Sequence, residues 1–329
     1  MKLRHLFSLV GAGLFAWMLQ RIGFATILTQ LTLIGWWGVP LFFISASWTL
    51  CYAFGWRRIL SRQRHMSLWV LYRIKLAGEA VSAITPANFI GGDPVRVYLL
   101  RRYFPWTHGA ASVVIDRTLH SISILGMIVI GVTLAFWNIP HLPTNVQIGL
   151  PIVLFVVCGF VGFVFLHQRH GLFNFGMDLL RRLHIRRHFT PEFVKRCDEL
   201  DRLVAEFYTH DPAGFWITLG YNCLGRCLGI VELYVIGRVV DPRFGWLEAL
   251  VLGAVAPLIN LIFTFIPGAF GVMEGAYGIT LYLLALPASL GLTIQIIKRA
   301  RAALWLALGF MVLGTHDRKA LLHHSPAAK

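Results

Sequence analysis

Residues 84–96 read ITPANFIGGDPVR, and VYLL follows them directly. This stretch contains two prolines, two glycines, an acid and a base, yet the segments on both sides are apolar. Irregular backbone at membrane depth is tolerated only where protein or a water-filled cavity satisfies its polar groups. Gly91 and Gly92 therefore predict a turn, with Asp93 as the N-cap and Pro94 in the first turn of a returning helix.

The composition is that of a polytopic membrane protein. The 329 residues are 57% hydrophobic and 14% charged, with a mean hydropathy of +0.67, whereas soluble domains carry roughly 25% charged residues. This length allows about seven or eight spans of roughly 20 residues. The bases behind the net charge of +15 lie in particular loops, a topology pattern rather than a nucleic-acid-binding one. Cysteines and histidines lack zinc-ligand spacing, so we expect no metal and no cofactor.

The apolar segments predict membrane helices or half-helices at about 6–20, 36–56, 67–85, 94–103, 109–137, 148–166, 213–237, 247–265, 270–286 and 288–314. The positive-inside rule places both termini and the basic segments in the cytoplasm, namely 57–75, 101–108 and 167–212. Because the chain between the first two basic segments is too short for two full spans, we expect 67–85 and 94–103 to form a re-entrant hairpin. Within 167–212, the amphipathic stretch 191–208 predicts a helix on the membrane surface or on the bundle.

A second break follows the same pattern late in the chain. Pro267 precedes Glu274 by seven residues, as Pro86 precedes Asp93, and glycines lie between them in both cases. The topology approaches the two breaks from opposite faces, with 247–286 as a second re-entrant hairpin. The sequence thus predicts one all-α membrane domain, 1–329, with an inverted repeat that brackets a midplane site. A coincidence of proline and glycine usage is the alternative.

Ionisable residues at predicted lipid depth mark substrate or ion pathways by default. Six are basic and five acidic: Glu79, Asp93, Arg96, Asp116, Arg117, Arg226, Glu232, Glu274, Lys298, Arg299 and Arg301. Two other roles stay open, a purely capping Asp93 and a snorkelling Asp116–Arg117 pair. The bases in KRAR, 298–301, predict a wet or anionic cavity that suits an anionic head group.

We assign these residues to two roles. The head group is expected to contact Arg96, Arg117, Lys298, Arg299, Arg301, Asp93, Gly91, Gly92, Gly268 and Gly271. Charge pairing or proton coupling is expected from Glu79, Asp116, Arg226, Glu232 and Glu274. The chain contains no Ser-His-Asp arrangement, HExxH or nucleotide loop that we can place, so we expect no catalytic residues.

Three motifs, GGDPVR, VVIDR and PGAFGVMEG, resemble the flippase-like membrane family named for the transmembrane region of lysylphosphatidylglycerol synthase. The resemblance covers about 36–314 and rests on Pro86, Gly91, Gly92, Asp93, Arg96, Asp116, Arg117, Pro267, Gly268, Gly271, Glu274, Arg299 and Arg301. Ala269 stands where many relatives carry a second glycine. Some relatives are halves of aminoacyl-phosphatidylglycerol synthases. Since this chain ends at 329, we expect a stand-alone member without the aminoacyltransferase domain, closest to the hopanoid-associated branch.

The resemblance implies a lipid transporter or flippase of the bacterial inner membrane. The expected substrate is a polar or anionic phospholipid or a hopanoid-type lipid, moved by alternating access. No ATP motif is present, so transport would be downhill or ion-coupled. Membrane lipids are the expected partners, together with lipid-biosynthesis enzymes. A membrane-embedded lipid-modifying enzyme and a non-transporting scaffold are the alternatives.

Overall fold

The computed structural model describes Thr32 and residues 34–61, 65–85, 88–139, 142–182, 190–263 and 271–322. Within these ranges the chain forms helices and no strands, so the all-α prediction is confirmed. The predicted first span, 6–20, lies outside the described residues. A 3-10 helix, Gly35–Trp37, precedes α1 Gly38–Leu60, α2 Leu68–Ile84, α3 Asn88–Leu100, α4 Trp106–Asn138, α5 Thr144–His170, α6 Leu172–Arg182, α7 Pro191–His210, α8 Pro212–Val240, α9 Trp246–Ile262, α10 Val272–Leu283 and α11 Ser289–Leu322.

Helix length and hydropathy separate the described helices into two groups. Three stretches are long and apolar enough to cross a membrane, namely Gly35–Leu60, Trp106–Asn138 and Thr144–Arg169. Helices α8 and α11 have 29 and 34 residues, but both carry ionisable side chains in their middle turns. A charge facing lipid is costly, so such helices are expected to turn these side chains towards the protein.

Helices α1 and α8 pack extensively against each other. They approach closely because small residues lie between them: Gly55 faces Thr218, and a Cβ on Gly225 would overlap the Tyr52 ring. The hydroxyl of Thr218 donates a 3.3 Å hydrogen bond to the carbonyl of Gly55. Small residues at helix contacts are typical of membrane bundles, where tight packing replaces the hydrophobic effect.

Helices α2 and α3 pack against each other, as the predicted hairpin requires, but their glycines act differently from the prediction. Gly91 and Gly92 lie inside α3, without positive φ, because α3 already begins at Asn88. Asp93 is therefore not an N-cap, and Pro94 lies inside the helix. A Cβ on Gly92 would overlap Ser82, so the glycines allow α2 and α3 to pack closely. The turn residues 86–87 lie outside the described structure.

The second break lies between α9 and α10, and residues 264–270, with Pro267 and Gly268, are outside the described structure. Gly271 is the N-cap of α10 with φ +81°, a value that favours glycine. Its N–H donates a 2.8 Å hydrogen bond to Glu274 Oε2. Helix α10 has only 12 residues, as a half-helix requires, and its Gly278 packs against Gly291 of α11. The inverted repeat itself stays a prediction.

The predicted amphipathic helix corresponds to α7, and its apolar stripe packs on the bundle. Cys197, Leu200, Val204 and Phe207 are buried there. The segment 167–212 also contains α6, whose first N–H groups donate to the buried carboxylate of Asp201 from α7. The structure thus shows the stripe packed on the bundle, one of the two locations expected for it.

Candidate functional site

Six ionisable side chains from α2, α3 and α4 form what we call the hairpin cluster: Lys75, Glu79, Asp93, Arg96, Asp116 and Arg117. Its most buried pair is Lys75 and Asp116, whose side chains are 3% and 4% exposed, with Nζ 3.0 Å from Oδ2. Lys75 also donates a 3.2 Å hydrogen bond to the carbonyl of Tyr52. Each charge compensates the other at a depth where either alone would be strongly unfavourable.

Arg96 is shared among three carboxylates and held tightly by none. Its guanidinium nitrogens lie 3.4 Å from Asp93, 3.7 Å from Glu79 and 3.8 Å from Asp116. The side chain is 7% exposed, and its Nε has no hydrogen-bond partner among the described residues. Gly78 makes room for it, because a Cβ there would lie 2.6 Å from Arg96 Cγ.

Arg117 binds Asp93 more closely than Arg96 does. Its Nη2 and Nε lie 2.8 and 2.9 Å from Asp93 Oδ2. The predicted cap is thus an ion-pair partner that joins α3 to α4. Glu79 and Arg117 are 33% and 35% exposed, so they form the open side of the hairpin cluster.

Lys75 is the member of this cluster that sequence reasoning missed, because the basic segment 57–75 is predicted to lie in the cytoplasm although the predicted helix 67–85 includes Lys75. Helix α2 begins at Leu68, which places Lys75 well inside it. A signal was present in the sequence. Lys75 and Glu79 are four residues apart and so share a helix face, with Ile74 and Leu76 on either side of the lysine.

A second group, the late-helix cluster, consists of Glu232, Glu274, Tyr277, Lys298, Arg299 and Arg301. Arg301 Nε lies 2.9 Å from Glu232 Oε1, and the indole of Trp48 donates a 3.0 Å hydrogen bond to Glu232 Oε2. Arg299 Nη2 lies 2.6 Å from Glu274 Oε1. Both ion pairs join α11 to another helix, α8 in the first case and α10 in the second.

Lys298 differs from the two arginines of α11 in its partner. Its Nζ donates a 3.0 Å hydrogen bond to the hydroxyl of Tyr277 and lies 5.1 Å from the centre of that ring. Among the described residues it forms no ion pair with a carboxylate. Its described contacts are therefore with a neutral, aromatic side chain.

Arg226 of α8 likewise contacts neutral groups. Its Nη2 donates a 2.5 Å hydrogen bond to His120 Nε2, and the guanidinium lies 5.8 Å from the Tyr52 ring centre. This contact assigns the proton to His120 Nδ1, which donates to Asn222 Oδ1 at 3.0 Å. Sequence reasoning missed His120 and Asn222, because neutral polar residues in apolar helices are also common as packing residues.

Aromatic side chains of α1 connect the two clusters. The Tyr52 ring lies 4.8 Å from His120 and 5.7 Å from the Trp48 ring. Lys75 approaches the Tyr52 ring at 5.4 Å, and Arg301 approaches the Trp48 ring at 5.5 Å. Among the described residues no group of three His, Cys, Asp or Glu side chains could hold a metal ion.

A family model for the lysylphosphatidylglycerol synthase TM region matches residues 6–309. The chain belongs to this family. The match spans both clusters and all three motifs that carry the resemblance. A comparison with curated proteins found no match. Members of the lysylphosphatidylglycerol synthase TM family are membrane-associated and lipid-related, which agrees with the long apolar helices described above.

Proposed function

We propose that the protein is a lipid translocase of the bacterial inner membrane, with both termini in the cytoplasm. It would move a polar or anionic lipid, such as a phospholipid or a hopanoid-type lipid, by alternating access. The family is lipid-related, and the ionisable residues at predicted lipid depth support a pathway for a polar group. Lipid-biosynthesis enzymes that supply the lipid are the proposed protein partners.

The observation that carries this proposal is that every tight ion pair of the two clusters joins two different helices. Lys75–Asp116 links α2 to α4, and Asp93–Arg117 links α3 to α4. The other two pairs attach α11 to α8 and to α10. Breaking such a pair in a dry bundle is costly unless another polar group replaces the lost partner. A passing head group is such a replacement, so its entry and the separation of the helices would be coupled.

Arg96 is suited to this exchange. An arginine shared by three carboxylates at 3.4–3.8 Å loses little when it turns towards a phosphate, which it can bind in a bidentate manner. The open side of the hairpin cluster, at Glu79 and Arg117, is where a head group would first meet it. Arg117, Lys298, Arg299 and Arg301 would then contact the head group in turn, with Asp93 and the glycines Gly91, Gly92, Gly268 and Gly271 beside it.

The test is lipid movement in liposomes made with purified protein and a phosphatidylglycerol that carries a fluorophore on an acyl chain. A membrane-impermeant reductant bleaches outer-leaflet probe at once and inner-leaflet probe only after translocation. We expect wild type to expose the inner-leaflet probe faster than protein-free liposomes do, and Arg96→Gln and Arg299→Gln to abolish the difference.

Arg243→Gln is the matched control, since it removes one arginine from an exposed loop where Arg243 pairs with Asp241. It should translocate like wild type. The proposed function would be contradicted if liposomes with folded wild-type protein exposed the inner-leaflet probe no faster than protein-free liposomes. This result would have to hold for phosphatidylglycerol, phosphatidylethanolamine and hopanoid probes alike.

A further inference from the structure

Two of the cations considered above form no ion pair with a carboxylate among the described residues, and a charge count identifies them. The five acids at predicted lipid depth are Glu79, Asp93, Asp116, Glu232 and Glu274, and each contacts an arginine or a lysine. Six bases were predicted at lipid depth, and Lys75, which pairs with Asp116 in the structure, makes seven. The two that remain without an acid are Arg226 and Lys298, whose partners are His120 and Tyr277.

Among the described side chains, none of the other acids forms an ion pair with Arg226 or Lys298. The chain has 15 Asp and Glu residues, and none falls outside the described ranges. Most of the other ten lie in α6, α7 and the helix-connecting segments; Asp211 binds Arg58, and Asp241 binds Arg243. Asp317 follows Lys298 by nineteen residues on the same helix, which is about 28 Å of helix axis.

The helix contacts place both cations at one level of the bundle. Helices α1 and α11 are antiparallel, because Ser45 meets Trp305 and Trp48 meets Arg301. Lys298 lies about one turn beyond Arg301, which brings it to the level of Tyr52. Arg226 is at the same level, since it lies over the Tyr52 ring.

We propose that Arg226 and Lys298 bind the phosphate of the lipid that the protein moves, an inference that rests on the proposed function. A phosphate would supply the negative charge that the described acidic side chains do not provide to these two cations. Its oxygens accept from the guanidinium fork and from the ammonium group. Arg226 Nε is buried and has no hydrogen-bond partner among the described residues, so a donor is available to the ligand. The carboxylate-paired arginines would then hold the helices together while the head group occupies this level.

The test measures the thermal stabilisation of the detergent-purified full chain by short-chain phosphatidylglycerol, by the matching diacylglycerol and by inorganic phosphate. We expect wild type to be stabilised by phosphatidylglycerol and not by diacylglycerol. Arg226→Gln and Lys298→Gln should each weaken phosphatidylglycerol binding by about tenfold or more, as the loss of a charged hydrogen bond predicts. Without lipid, neither substitution should lower the unfolding temperature, because each removes an uncompensated charge.

Arg58→Gln provides the contrast. It leaves Asp211 without its ion-pair partner and should lower the unfolding temperature without lipid, while stabilisation by phosphatidylglycerol persists. Unchanged phosphatidylglycerol binding in both Arg226→Gln and Lys298→Gln would overturn the inference, and so would equal stabilisation by diacylglycerol. Equal stabilisation by inorganic phosphate would overturn the lipid assignment in favour of a free anion. Lipid binding that depends on both cations, in a protein that moves no lipid in liposomes, would support the inference and overturn only the proposed function.

Discussion

At the scale of single residues, the hairpin cluster combines one close ion pair with one arginine that is shared among several carboxylates. Lys75 and Asp116 are almost inaccessible and lie 3.0 Å apart, whereas Arg96 is spread over three more distant carboxylates. A buried pair is lost only with a large penalty, but an arginine with several acceptors can exchange them at small cost. The Lys75–Asp116 pair therefore holds the cluster together, whereas Arg96 can respond to a ligand.

Lys75→Met should destabilise the protein strongly, because it leaves Asp116 buried with only the distant Arg96 as a counter-charge. Removing one partner of a buried pair costs about 3–5 kcal/mol. The free energy of unfolding in detergent measures it. The double variant Lys75→Met with Asp116→Leu should recover most of the loss. A single variant as stable as wild type would show that the charge of Asp116 is balanced in another way.

Gly78→Ala should displace Arg96 without removing a charge, since the new Cβ would lie 2.6–3.1 Å from atoms of the Arg96 side chain. Overpacking of this kind costs about 1–3 kcal/mol. Translocation should fall as in Arg96→Gln. Gly126→Ala is the matched control, because nothing lies within 4 Å of a Cβ at that position. Equal behaviour of the two alanine variants would exclude a positioning role for Gly78.

At the scale of helices, α7 is held to the bundle by a chain of polar contacts as well as by its apolar stripe. The hydroxyl of Tyr208 donates a 3.0 Å hydrogen bond to Gln168 Oε1, and Gln168 Nε2 donates a 2.7 Å hydrogen bond to Thr118. All three residues are buried. This chain links α7 to α5 and α4, so the polar and apolar contacts of α7 hold it in the same place.

Tyr208→Phe should cost about 1–3 kcal/mol, because the amide of Gln168 is left with a buried, unsatisfied oxygen. Burial raises the pKa of the Tyr208 phenol above its ordinary value. A raised folded-state pKa means that the hydroxyl stabilises the protein fully below the unfolded pKa of about 10 and progressively less above it. The stability difference between wild type and Tyr208→Phe should thus be constant near neutral pH and narrow above about pH 10. A difference that grows with pH would contradict this.

The positions of the helices could largely be predicted from the sequence, but the partners of the charges could not. Apolar length and proline–glycine breaks are local signals, so the α2–α3 hairpin and the short α10 were expected. The cap at Asp93 was predicted wrongly, because Gly91 and Gly92 also suit close helix packing and nothing local distinguishes the two uses. Which base meets which acid depends on distant helices, as for Glu232 and Arg301, which are 69 residues apart.

At the scale of the whole molecule, charge compensation between distant helices has a consequence for how the protein is made. Helix α11 carries Lys298, Arg299 and Arg301 in its apolar part, and each base opposes insertion into lipid by roughly 2.5–3.5 kcal/mol at the helix centre. The acids that neutralise two of them, Glu232 and Glu274, are synthesised earlier in the chain.

Membrane insertion of α11 should therefore depend on those acids. With Glu232→Gln and Glu274→Gln combined, a reporter fused after α11 should shift towards the other side of the membrane or towards proteolysis. A reporter fused after α4 should be unaffected, as should one after α11 in an Asp241→Asn variant. An unchanged α11 reporter in the double variant would show that α11 inserts on its own.

The order of the acids and bases along the chain thus bears on how the protein assembles as well as on its folded structure. Glu232 and Glu274 precede α11 in the chain. The helices that carry them can therefore present acidic side chains before α11 leaves the ribosome. Helix α11 would then insert against the assembled helices rather than into lipid alone. The ion pairs that join α11 to α8 and α10 would then set the order in which the helices assemble during translation. A chain that lacks α8 or α10 would insert α11 poorly.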